Sequence, residues 1–196
     1  MRAMKTMTDR LPYTGNDEAD ALLVSEPLAL LIGLALDQQV TLQKAFSGPF
    51  DLRERLGHLD AARIAATDPA DLDEVFRRRP ALHRFPGSMA GKVQALCVAI
   101  RDEYGNDAAR LWTEATGGRD LEQRIAGLPG FGPMKVRTLL AILHKRLGVE
   151  LPGLAEIVPD YPTIADADSP EALARYQELK RAHKAELRAK GASFKA

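Results

Sequence analysis

Apolar residues recur at helical spacing along most of this chain, and strict alternation is absent, so the pattern predicts helices and no sheet. From Pro27 to Phe46 the positions Leu28, Leu30, Leu31, Leu34, Leu36, Val40, Leu42 and Phe46 follow so densely that one mostly buried helix is expected. Ser47, Gly48 and Pro49 read as a break, with a short helix over 52–56. Asp68 is placed to cap a helix that Pro69 begins, with acids in its first turn. Two prolines and two glycines mark a loop before a helix from Met89 to Tyr104, which gathers Val93, Leu96, Cys97 and Ile100 on one face. Leu121, Ile125 and Leu128 mark a short helix. Val136, Leu139, Leu140, Leu143 and Leu147 mark a longer one that ends near Gly148. Residues 149–168 hold four prolines and glycines and read as irregular. Ser169 and Pro170 then open an amphipathic helix over 169–190. Residues 1–20 are polar, with a poorly ordered start expected, and 21–196 read as one helical domain.

The segment "GLPGFGPMKV", residues 127–136, separates two of these helices within a hairpin expected over 119–147. One reading is a tight turn between helices, for which glycine is needed only to reverse the chain. The other is an anion cradle. The N-terminus of a helix presents unpaired N–H groups and a positive dipole end. Gly130 and Gly132 would let a phosphate approach the backbone, and Lys135 in the first turn would assist. Pro133 suits the first helical position because its missing N–H has no partner there anyway.

Composition narrows the class. At 196 residues, with 45% hydrophobic and 28% charged positions, the chain is long enough to bury a sizeable core. The single cysteine, Cys97, excludes a disulfide framework and a cysteine-held iron–sulfur cluster, and no metal or other cofactor is expected. No apolar run reaches the ~20 residues of a membrane span, and the start lacks a signal peptide's apolar stretch, so a cytoplasmic protein is expected. The net charge is +0, but its distribution is uneven. Residues 169–196 hold seven basic and three acidic side chains, or +4, which leaves −4 on the remainder. That basic end is either a solvated helix or a phosphate-facing surface.

Three segments, in order, resemble the helix-hairpin-helix DNA glycosylase superfamily, and the alkyladenine-type branch most of all. They are "LLIGLALDQQVTLQKAF" with its paired Gln38 and Gln39, "FPGSMAGKVQALCVAI", and the hairpin "GLPGFGPMKVRTLLAIL"; together they span roughly residues 25–148. The resemblance implies an all-α fold of two small helical lobes with a substrate cleft between them. It implies a monomer on double-stranded DNA in base excision repair, acting as a monofunctional DNA N-glycosylase on damaged bases. The reacting base has to leave the stack, because the bond from base to sugar is out of reach inside a duplex. Gln38 and Gln39 would fill the gap; otherwise their amides simply satisfy hydrogen bonds near a helix.

The chain departs from that pattern at two places. Bifunctional members carry a lysine nucleophile two positions after the second hairpin glycine, where this chain has Met134. Lys135 is one residue on, about 100° around the helix, so a Schiff-base lyase is not expected. Members also place an aspartate some 18–20 positions further on, where this chain reads "ELPGL". Asp160 and Asp166 are the candidate replacements, with Asp166 favoured, and helix capping is the competing role for Asp166. A non-catalytic DNA-binding relative that has lost the catalytic aspartate is the alternative function, and a helical interaction protein with no DNA role is the third.

Overall fold

The computed structural model describes residues 8–189, and over that span the protein is helical with no strand. Its helices are α1 (Asp17–Ser25), α2 (Pro27–Leu36), α3 (Leu42–Leu56), α4 (Ala61–Ala66), α5 (Pro69–Arg77), α6 (Pro86–Tyr104), α7 (Arg110–Thr113), α8 (Gly118–Ala126), α9 (Pro133–Lys145) and α10 (Pro170–Ala189). A 3-10 turn, Ile164–Asp166, precedes α10.

Local signals account for most of the boundaries. The Asp68 carboxylate accepts from Ala70 N at 2.8 Å, and Pro69 starts α5. Ser169 Oγ accepts from Ala172 N at 3.1 Å at the start of α10. Gly105 ends α6 in the left-handed conformation. The earlier start of α6, at Pro86 rather than Met89, uses the proline at the first helical position, where it costs no hydrogen bond.

The expected helix from Pro27 to Phe46 is instead two, broken at residues 37–41. His83 holds this break from one side, and Thr41 Oγ1, accepting from Lys44 N at 3.2 Å, caps α3 on the other. The buried His83 Nε2 lies 3.1 Å from Leu36 O and 2.9 Å from Gln38 O, while its Nδ1 accepts from Phe85 N at 3.0 Å. Because Nδ1 is an acceptor, Nε2 carries the proton and donates to both carbonyls. Those carbonyls are thereby satisfied without a continuing helix.

The expected break at Ser47–Pro49 does not occur, and α3 runs through Pro49. Gly48 packs so closely on Leu36 that a Cβ there would overlap its Cδ1, and a Cβ on Gly33 would come within 2.7 Å of the Phe46 ring. These two glycines let α2 and α3 approach along a nearly all-buried α2. Within that close packing α3 continues past a residue that would end an isolated helix.

The core is continuous, from Leu22 and Leu23 through α2, Phe46, Phe76 and Val93 to Leu139 and Leu143. Leu11 and Tyr13, ahead of α1, are fully buried in it although the segment is polar; the start of the expected 1–20 segment, residues 1–7, lies outside the described span. The Tyr13 ring meets Phe46 edge-on at 5.1 Å, and its hydroxyl donates to Ile164 O at 3.0 Å, which ties the start of the chain to the segment before α10. No single helix among the described residues is long and apolar enough to cross a membrane.

Candidate nucleic-acid interface

α8 and α9 pack on each other and are joined by residues 127–132. Leu128 and Phe131 anchor this turn in the core, with Phe131 N donating to Leu128 O at 3.2 Å. Gly130 takes φ +81°, a conformation that explains glycine at that position. Around both Gly130 and Gly132 a Cβ would meet nothing within 4 Å, so their outer faces are open. No side chain caps α9, and Val136 is the first of its amides to find an acceptor, on Gly132 O at 3.1 Å. The Met134 and Lys135 amides therefore remain unpaired at the positive end of the helix. A groove of about 470 Å³ runs from this turn to Gln38, with Met134 and Arg137 on its wall.

The turn that ends α2 forms the other side. Gln39 is exposed and left-handed, with φ 54°, an uncommon conformation for a non-glycine residue. Gln38 is half-buried, and its Oε1 accepts from Lys92 Nζ at 2.9 Å. The paired glutamines thus leave the helix in which the sequence suggested them. Gln38 is hydrogen-bonded in place, while Gln39 presents its side chain outward.

Lys135 does not extend into solvent. Its Nζ donates to Ala35 O at 2.9 Å, so the one-residue offset in the hairpin still brings the amine to the end of α2. Burial lowers its pKa to about 8, with Lys92 pushing the same way and Asp37 pulling back up.

Asp37 is the residue that sequence reasoning missed. It is the C-cap of α2, half-buried, and its carboxylate makes no hydrogen bond and no ion pair among the described residues. Burial raises its pKa, against the pull of Lys180 and Lys135. A carboxylate at a helix C-terminus also opposes the dipole, so only the charges of Lys180 and Lys135 favour its ionised form there. The available signal was an acid at the end of an otherwise apolar run, "LLIGLALD". Asp37 lines a second groove of about 480 Å³ between the α2–α3 turn and α10, whose other wall includes Tyr176, Lys180 and Lys184.

Asp160 and Asp166 line neither groove. Asp160 is exposed. Asp166 closes a capping box with Thr163, accepting from its N at 2.7 Å and its Oγ1 at 3.2 Å, and it pairs with Lys145 Nζ at 2.7 Å. Burial pushes its carboxyl up, but the bonds from Lys145 and Thr163 prevail and hold it below the ordinary value. Its partners are those of a structural cap. Tyr104 is buried in the core and Trp112 packs against it, as expected for aromatics in a helical domain.

Among the described residues no group of three or more His, Cys, Asp or Glu side chains is arranged to hold a metal ion. Cys97 is buried, and its thiol is pushed up to about 12, which leaves it inert. Compared with family models, curated proteins and solved structures, this chain matches none of them.

Proposed function

We propose that this protein grips duplex DNA through the α8–α9 turn and hydrolyses the base–sugar bond of a damaged, extruded nucleotide, as a DNA N-glycosylase. In this reading the two grooves form the cleft of a two-lobed helix-hairpin-helix arrangement. The observation that carries it is the meeting of three features at the end of α2. These are an open glycine turn with unpaired amides, the outward-facing Gln39, and the unbonded carboxylate of Asp37, whose charge the Lys135 amine influences.

The turn and its amides receive backbone phosphates, which position the duplex without reading its sequence. Gln39 enters the gap left by the extruded base. Asp37, not Asp166, is the carboxylate at the reacting centre. It stabilises the positive charge that builds on the sugar as the bond to the base breaks. It also takes a proton from the water whose oxygen bonds to the anomeric carbon. The bonding pair leaves with the base. The base takes a proton from Lys135, whose pKa of about 8 keeps it mostly protonated at neutrality yet ready to yield.

The test is release of free base from duplexes that each carry one damaged nucleotide, measured with the wild-type chain, Asp37→Asn and Asp166→Asn. Activity in the wild type and Asp166→Asn, with a loss of at least about 100-fold in Asp37→Asn, supports the assignment. Full activity in Asp37→Asn rejects it. The second reading, a DNA binder without chemistry, is favoured by the structural use of Asp166. It predicts duplex binding with no base released from any substrate.

A further inference from the structure

α10 leaves the protein body after its first turns. Leu173 is buried and Tyr176 and Gln177 are partly so, whereas the described side chains from Glu178 onward are exposed. Its charges are not spread evenly. At about 100° per residue, Lys180, Lys184, Arg188 and Arg181 fall within one sector of about 100° that adjoins Tyr176. Glu178 and Glu186 fall on the opposite half. None of the four cations is in an ion pair among the described residues, and Lys180 lies 5.9 Å above the Tyr176 ring. This face borders the groove that contains Asp37, which Lys180 and Lys135 both influence electrostatically. The basic sector and the α9 end of the turn therefore converge on one region.

Resting on the DNA reading above, we infer that the Lys180–Arg181–Lys184 face of α10 is a second binding surface for the phosphate backbone of duplex DNA, continuous with the α8–α9 turn. The partner is identified by charge and shape. From Lys180 to Arg188 the helix advances about 12 Å, long enough to meet about two to three neighbouring phosphates of one strand. Four exposed cations on one side, with the acids turned away, are complementary to such a row. They would repel one another without it. A chain with no net charge thus concentrates an excess of +4 in residues 169–196, where the duplex runs, and −4 elsewhere.

The experiment measures affinity for an undamaged duplex against salt concentration. It compares the wild type, the triple variant Lys180→Ala/Arg181→Ala/Lys184→Ala, the charge-preserving Lys180→Arg/Arg181→Lys/Lys184→Arg, and Gly132→Val. All three α10 positions are exposed, so the fold is retained; circular dichroism checks this. Each phosphate contact contributes about 0.9 to the slope of log affinity on log salt. The alanine triple should lower that slope by about 2–3, and the charge-preserving triple should keep it. If the alanine triple keeps the wild-type slope while Gly132→Val weakens binding, α10 does not touch DNA and the inference is overturned. If the wild type shows no salt-dependent duplex binding, the underlying DNA reading fails instead. Loss of binding only to vesicles of anionic lipid, with DNA binding unchanged, would assign the face to a membrane surface and also overturn the inference.

Discussion

Asp37→Asn should make this protein slightly more stable at neutral pH while abolishing any base excision. The Asp37 carboxylate is half-buried at the C-cap of α2 and receives no hydrogen bond. Its charge faces the negative end of the helix dipole, at a cost of about 0.3–1 kcal/mol. Asparagine keeps the shape and removes the charge. The sign with pH follows from the direction of the shift. Burial raises the folded-state pKa, so the folded state binds this proton more tightly than the unfolded chain does. The carboxylate is therefore without cost below the unfolded value of about 3.9, and its cost grows as pH rises through the raised folded value. Urea unfolding of both chains at pH 3.5 and pH 7.5 reads this directly. The two should coincide at the lower pH. At the higher pH the variant should lead by about 0.3–1 kcal/mol, or roughly 1–4 °C in melting temperature for a chain of this size. A variant less stable than the wild type at pH 7.5 would refute the reasoning. Asp37 would then be a structural partner of Lys135 and Lys180 rather than an unrewarded charge.

Phe46→Ala should cost about 3–5 kcal/mol in urea unfolding, because the ring fills the space over Gly33 and against Tyr13; a loss under 1 kcal/mol would mean α2 and α3 close the cavity. Gly132→Val should leave the fold intact, since φ is −77° and the site is open, yet weaken binding to all duplex sequences alike; unchanged affinity at low salt would make the segment only a turn. The Lys135 amine should titrate near 8 by nitrogen NMR, and Asp37→Asn should move that midpoint lower, since Asp37 raises it; a midpoint near 10.5 in the wild type would show the amine to be solvated.

The sequence by itself determined those elements whose causes lie within a few residues. α5 and α10 carry their own side-chain caps, all of α5, α6, α9 and α10 begin on a proline, and the glycine turn before α9 was legible from Gly130 and Gly132. The all-helical class followed from the same periodicity. Tertiary structure decided what depended on distant partners. At the break after Leu36, His83 reaches two carbonyls from another part of the chain, and no glycine or proline marks it. α3 passes through Gly48 and Pro49 packed against Leu36, whose side chain fills the space a Cβ on Gly48 would need. The candidate site follows the same rule. Gln38, Gln39 and the hairpin glycines were visible as motif residues. Asp37 gains its character only when the fold half-buries it within the electrostatic reach of Lys180 and Lys135. The capping role of Asp166 shows only when Thr163 and Lys145 are seen to engage its carboxylate. A carboxylate's chemistry is set by solvation and neighbouring charge, and both are properties of the folded surroundings rather than of spacing along the chain.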